Sequence, residues 1–384
     1  MSPKIITMNT TDIINQFCKE RNSSKNTLYS YRQSIRLFET QTQQEIYSIL
    51  YLAEMEQEKN IPWKHQTIRK QLINFRAYLY ENYKKSTAHL HLTRVKAFLQ
   101  HYEIEIGKLP YYSTKKAEPS IPIDPDLMVD RDILRLCINV KNPLLKAITL
   151  FMSSSGMTKI DTLNLTVQDF INATREYHNS NHLPNILHIL SDDHQAVGTW
   201  QNFKREKTGQ IYFTFNSPES TIAIAQYLLT REKLTTESPL FNISYKYMSD
   251  LFKDTNDLLG LGKNGQYSRF ASHMLRRYHA TQLKEAGMDM DKINILQARK
   301  PKNIAYQSYI KIKPSKLKDE YIEALPYLVV EDYTKVKTEL DATKEELEAE
   351  KDKNNELENN INNIWAEITL LKNKREKRLA EDYK

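Results

Sequence analysis

The stretch RFASHMLRRYHATQLKEAGMD, residues 269–289, sets a histidine and an arginine three positions apart, as His273 and Arg276. Leu275, Tyr278, Ala280 and Leu283 have roughly helical apolar spacing, and Gly287 suits the end of a helix. Side chains at i and i+3 of a helix share one face. A face that offers an imidazole beside a guanidinium suits a phosphate. The same short motif also describes an exposed basic helix with an incidental histidine, so the context around it matters.

The chain has 384 residues, enough for two domains and an appendage. Its apolar content of 40% and charged content of 27% are those of a globular protein. With 13 prolines and 8 glycines, a collagenous or Gly-rich disordered chain is excluded. No apolar run approaches the roughly 18 residues of a membrane-spanning helix, and MSPKIITMNTTD at the start lacks the apolar core of a signal peptide. Cys18 and Cys137 are the only cysteines. They provide neither a disulfide framework nor a zinc cluster, which leads to the expectation of a reducing, cytoplasmic setting. The net charge is +7 and the pI about 9.0. Residues 1–116 carry +8 and residues 331–384 carry −4. Positive charge gathered toward the N-terminal end fits a nucleic-acid contact surface, although a merely Lys-rich soluble protein would share it.

Residues 9–107 read as a small bundle of four or five amphipathic helices. Ile13, Ile14 and Phe17 form one stripe, after threonines that read as capping signals. Leu28, Tyr31, Ile35 and Phe38 form a second, Ile68, Leu72, Phe75 and Leu79 a third, and Leu92, Val95, Phe98 and Leu99 a fourth. Arginines and lysines interleaved with tyrosines could follow a DNA backbone. His89 and His91, two apart, do not share a helix face and read as surface residues. KLPYYSTKKAEPSIPIDPD, with Pro110, Pro119, Pro122 and Pro125, reads as an interdomain linker.

A second domain follows to about Leu328. Two helices, around DRDILRLCINV and PLLKAITLFMSSS, precede a strand-like apolar run, NILHILSD. TWQNFKREKTGQIYFTFNS then reads as a hairpin with KTGQ at its turn. Helices at PESTIAIAQYLLTRE, YKYMSDLFKDTNDLLG and the His273 segment complete it, giving a mainly α domain with a small antiparallel sheet. In the tail, Leu340, Thr343, Leu347, Glu350, Asn354, Leu357, Ile361, Ile364, Ile368 and Leu371 step alternately by three and four. That is a heptad seam, with Asn354 as a register-setting polar position, and it predicts a coiled coil.

In this order, the motifs resemble the tyrosine-type site-specific recombinases, the phage integrase family, and in particular its archaeal-type integrases. The resemblance spans roughly residues 9–330. It implies a helical core-binding domain over 1–108, a linker over 109–125 and a catalytic domain over 126–330, which leaves 331–384 as the coiled-coil tail read from its heptads. The chemistry it implies is attack of a tyrosine on a DNA phosphodiester. A phenol with a pKa of about 10 needs help in losing its proton, guanidiniums clamp the charge that develops on phosphorus, and an acid protonates the leaving oxygen. Neither metal nor nucleotide cofactor is required, and the chain has no Walker loop, HExxH or CxxC.

By that resemblance HMLRR makes His273 the acid/base or phosphate donor and Arg276 a clamping arginine. FKREKTGQIYFTF carries the catalytic lysine, assigned to Lys207 with Lys204 as the alternative. Arg299 takes the position some nine residues before the nucleophile, which is Tyr309, with Tyr306 as the alternative. One position departs from the family pattern. The first catalytic arginine belongs in SSSGMTKIDTLNL, where Thr158 and Lys159 stand instead. Lys159 keeps the charge but not the planar fork, and one missing transition-state donor costs about 3–4 kcal/mol, or about 10²–10³ in rate. The implied function is a DNA recombinase or integrase of a viral or mobile element. Its partners would be double-stranded DNA, further copies of the chain (a tetramer on DNA), and whatever pairs with the tail. The alternatives are a DNA-binding relative that has lost strand joining and, in another class, a coiled-coil scaffold with a basic domain.

Overall fold

The computed structural model describes residues 9–114, 124, 128–206, 209, 211–299 and 313–331, together with separate residues between 350 and 368. The chain divides into two compact units, 1–122 and 123–384.

The first unit holds helices α1 (Thr10–Glu20), α2 (Lys25–Thr42), α3 (Ile46–Glu58), α4 (Thr67–Asn82) and α5 (Lys85–His101). Asn9, not the threonines after it, caps α1, its side chain accepting the Asp12 N–H at 3.0 Å. Ser24 does the same for α2 through the Thr27 N–H. Four of the five stripes are those expected from the apolar spacing; α3 adds Ile49, Leu50 and Ala53 to the same core. Phe17 and Phe98 (ring centroids 5.0 Å apart) and Phe38 and Phe75 (4.9 Å) tie the helices together. His89 is exposed, but His91 is not the surface residue expected. It sits where α5 packs on α2, with Nδ1 2.9 Å from the Ser34 hydroxyl, and burial followed by Arg94 holds its imidazole below the ordinary value.

The second unit is helical around a small hairpin. Helices α6 (Arg131–Ile138), α7 (Pro143–Ser155), α8 (Lys159–Leu163), α9 (Val167–Ala173) and α10 (Leu183–Leu190) lead to strands β1 (Gly198–Lys204) and β2 (Ile211–Asn216). Helices α11 (Pro218–Leu229) and α12 (Tyr245–Leu258) follow, then a minimal antiparallel pair, β3 (Lys263–Asn264) and β4 (Tyr267–Ser268), that the sequence patterns do not announce. Helices α13 (Ser272–Glu285), α14 (Met290–Leu296) and α15 (Pro314–Leu328) complete the unit. The run NILHILSD forms α10, not a strand. Pro184 favours a helix start, and Ile186, Leu187 and Leu190 bury one helical face.

Helix α7 runs through the core with ten buried residues, and α11 and α13 pack on it. Trp200 of β1 is fully buried, and its indole N–H donates to Asn216 Oδ1 at 2.6 Å. The Asn216 amide in turn donates to Ser217 and Thr221, so this polar insertion is satisfied. Helix α15 is fixed at several points. The Tyr321 hydroxyl donates to the Ser154 carbonyl at 2.9 Å, and Arg131 donates to the carbonyls of Pro326 and Tyr327, two of the C-terminal acceptors that a helix leaves open. Immediately after it, the buried Glu219 carboxylate accepts the N–H groups of Val330 and Glu331.

The tail residues described between 350 and 368 are all helical, and Leu357, Ile361, Ile364, Trp365 and Ile368 are exposed. The heptad positions Leu340, Thr343, Leu347 and Leu371, and most of the expected linker, lie outside the described residues. Among the described residues no helix is long and apolar enough to cross a membrane.

Candidate active site

Helix α13 starts after Ala271 with no side-chain cap, so its first turn presents His273 at the surface, its ring 6.0 Å from that of Tyr267. Arg276 and Arg277 follow at i+3 and i+4 on the same face. Burial, followed by Arg277, Arg276 and Arg299, holds the His273 imidazole below its ordinary value. The Arg299 guanidinium is lowered in the same way, by burial and then by Arg205 and Arg277. Among the described residues, every charged group acting on these two is another cation. Four guanidiniums, Arg276 and Arg277 of α13, Arg299 of the turn after α14 and Arg205 of the hairpin, therefore converge on the His273 imidazole.

Backbone carbonyls hold the guanidiniums. Arg276 donates to the carbonyl of Gly156, which caps α7, and to that of Gln297, which caps α14. Gln297 answers with two bonds from its side-chain amide, to the Arg276 carbonyl and to His279 Nδ1, both at 2.9 Å. His279 is fully buried, and burial, Arg276 and Arg299 bring its imidazole down to about 3. It is a neutral ring, and since Nδ1 accepts from Gln297, the proton sits on Nε2. Gly156 lies against that ring in the left-handed region, φ +63°, and a Cβ there would stand 2.6 Å from Nδ1. Ala298 is also left-handed (φ 46°), and it turns the chain so that Arg299 bonds back to the Asn294 carbonyl at 2.8 Å.

The hairpin enters from the other side. Arg205, the residue after β1, donates through Nη1 to the Ala298 carbonyl at 2.7 Å. Its neighbour Glu206 donates its backbone N–H to Asp161 Oδ1 at 3.0 Å. The other Asp161 oxygen accepts the Thr158 hydroxyl at 2.6 Å, where Thr158 caps α8.

Of the residues singled out from the sequence, His273, Arg276 and Arg299 come together. Lys159, expected in the clamp, is turned onto α12, where its ammonium bonds the Ser249 hydroxyl and lies 3.6 Å from the centre of the Tyr245 ring. Burial there lowers its pKa. Lys204 ends β1, exposed and paired with Ile211. Lys207, Tyr306 and Tyr309 lie outside the described residues. Four residues of the cluster were not singled out. Arg277 could have been found, because i+4 from His273 shares its face as well as i+3 does. Arg205 and Gln297 carry no spacing that links them to α13, since tertiary contacts alone bring them there, and His279, though three residues after Arg276 on α13, faces inward among the buried residues of that helix.

No protein-family model matches the chain, and no curated protein matches it. Solved structures do. The chain is similar to the XerH site-specific recombinase bound to a palindromic difH substrate in a post-cleavage complex, at 14% identity over 80% of this chain and 83% of that one, with a TM-score of 0.49. It is similar to the Tn1549 transposon integrase in complex with circular intermediate DNA, at 13% identity over 82% and 99% of the two chains, with a TM-score of 0.46. It is also similar to the integrase from mycobacterium phage Brujita, at 14% identity over 84% and 93%, with a TM-score of 0.29.

Proposed function

We propose that the chain is a tyrosine-type site-specific DNA recombinase of the integrase family, on the archaeal-type pattern, and that the cationic cluster around His273 binds the scissile phosphate. The observation that carries this reading is the cluster itself. His273, Arg276 and Arg277 from α13, Arg299 from the turn after α14 and Arg205 from the hairpin meet there, and after burial the neighbouring guanidiniums hold His273 and Arg299 below their ordinary values. Crowded like charges are unfavourable until an anion joins them. A phosphodiester supplies non-bridging oxygens that a guanidinium contacts as a fork.

In the reaction, the Tyr309 phenol oxygen bonds to phosphorus as the bond from phosphorus to the 5′ oxygen breaks. The phenol proton passes to His273, whose depressed pKa keeps it neutral and able to accept. Lys207, or Lys204 as the alternative, returns a proton to the leaving 5′ oxygen. The products are a 3′-phosphotyrosyl bond and a free 5′-hydroxyl. Attack by the 5′-hydroxyl of a second strand reverses the step, so bond energy is conserved without a nucleotide or metal cofactor. In this reading residues 1–108 grip double-stranded DNA, 126–330 catalyse, and four copies assemble on paired sites of a viral or mobile element in the cytoplasm.

A second reading, a DNA-binding relative that does not cleave, is favoured by Thr158 and Lys159 standing where the first arginine belongs and by the engagement of Lys159 with α12. A pool of nicked duplexes of randomised sequence separates the two, because a nick lets the 5′ fragment escape and traps the covalent adduct on a denaturing gel. Wild type should form the adduct, and Tyr309→Phe should abolish it while retaining DNA. Loss with Tyr306→Phe but not with Tyr309→Phe would move the nucleophile three residues earlier. Retention of DNA by wild type without any adduct would select the second reading.

A further inference from the structure

We propose that Arg205, the residue after β1, supplies the clamping guanidinium that Thr158 and Lys159 lack. This rests on the strand-cleavage reading above. Three geometric observations support it. Arg276 and Arg205 are anchored on consecutive carbonyls, those of Gln297 and Ala298, so one turn of backbone holds both forks side by side. The hairpin also leans on the start of α8. Asp161 accepts the Glu206 N–H with one oxygen and the Thr158 hydroxyl with the other, so a single carboxylate joins the residue beside Arg205 to position 158. Finally, Lys159, the other candidate, is committed to Ser249 and Tyr245 on α12.

Arg205 has donors to spare. Nη1 serves Ala298, while Nε is buried and has no hydrogen-bond partner among the described residues. A buried donor left unsatisfied is unfavourable, and an oxyanion arriving beside it would relieve that. After burial, Arg205 is also the charge that most lowers the Arg299 guanidinium. A threonine at the start of α8 with an arginine on the hairpin would thus be a relocated clamp, with the fork entering from the sheet side instead of from the helix.

The test uses the full chain and a sequence enriched from the nicked-duplex pool, with adduct formation timed in single turnover. Arg205→Ala should slow cleavage by about 10²–10³ while DNA retention stays near that of wild type. Arg205→Lys should remain slow, because an ammonium cannot make the bidentate contact. Lys159→Ala should stay within about threefold of wild type, the change expected where no transition-state contact is removed. The decisive variant is Thr158→Arg placed in Arg205→Ala. A guanidinium returned from the α8 side should recover at least about tenfold of the lost rate, which also shows that the Arg205→Ala protein is folded. Wild-type rates for Arg205→Ala, or a loss confined to Lys159→Ala, overturn the assignment of Arg205 alone. A wild type that forms no adduct overturns the strand-cleavage reading, and this role with it.

Discussion

Replacing Gly156 with alanine tests whether the packing behind the guanidiniums is what holds them. Three effects add. Gly156 has φ +63°, and an L side chain in that region costs about 1–2 kcal/mol. The new methyl would stand 2.6 Å from Nδ1 and 2.9 Å from Cε1 of His279, a ring that is fully buried and cannot swing into solvent. Overpacking of that kind costs about 1–3 kcal/mol. If the ring moves, it loses the Gln297 amide that now donates to it, and an unsatisfied buried group adds about 1–3 kcal/mol. Even the low ends sum to about 3 kcal/mol, a large part of a domain stability of about 5–15 kcal/mol. With a urea slope of about 1–3 kcal/mol/M, the unfolding midpoint of the second unit should fall by at least about 1 M, read by near-ultraviolet circular dichroism. A double-mutant cycle isolates the cause. His279→Ala removes the obstacle, so the two substitutions together should be less harmful than their sum by at least about 1 kcal/mol. A Gly156→Ala protein within about 0.5 kcal/mol of wild type, or strictly additive variants, would refute the steric argument.

Two further outcomes follow from other parts of the second unit. Burial pushes Glu219 up to about 7, against the hydrogen bonds from Glu331 and Val330 that favour its ionised form. Its folded value lies above the ordinary 4.5, so its contribution to stability is complete below about pH 4.5 and is lost as the pH rises toward 7; Glu219→Gln should flatten the stability profile in that window, and an unchanged profile would show that the carboxylate is ionised throughout. Leu357, Ile361, Ile364 and Ile368 leave an apolar stripe in water, so residues 333–384 alone should self-associate with helicity that rises with concentration; sedimentation as a monomer at every concentration would refute that. A chain shortened to test the same point should end at residue 332, because Val330 is buried and the Glu331 N–H is bonded to Glu219.

What could be read from the sequence divides along a physical line. Periodic elements were legible. The stripes of α1, α2, α4 and α5 and the face of α13 follow from apolar spacing, which helix geometry turns directly into burial. The hairpin followed from the turn at KTGQ, and Gly209 there has φ +65°. NILHILSD was misread because a short apolar run fits a buried strand and a buried helix alike, and Pro184 at its start was the overlooked sign. At the site, His273 and Arg276 were legible because four residues of helix decide their relation. Arg205 was not, because 93 residues separate it from the Ala298 carbonyl and no local pattern reports such a contact. Lys159 was misplaced for a related reason. Its charge suggested a phosphate, whereas the structure offers it an aromatic face and a hydroxyl on α12.

The carbonyl anchors explain how the second unit tolerates its cluster of guanidiniums. Arg276 bonds the carbonyls of Gly156 and Gln297, at the C-terminal ends of α7 and α14, and Arg205 bonds that of Ala298, one residue further on. Helix C-termini carry partial negative charge and unpaired acceptors, so guanidiniums placed there satisfy acceptors that would otherwise need water. The two left-handed residues, Gly156 and Ala298, end their segments where these carbonyls are needed. Repulsion among the guanidiniums is thus offset by fixed dipoles at these helix ends. On the strand-cleavage reading proposed above, donors held in this way would need little reorganisation as charge develops on a phosphate, and such preorganisation is where electrostatic catalysis gains most. On the proposed reading, an arrangement built on two helix ends and a hairpin does not depend on the residue at position 158, so the fork would enter from the hairpin.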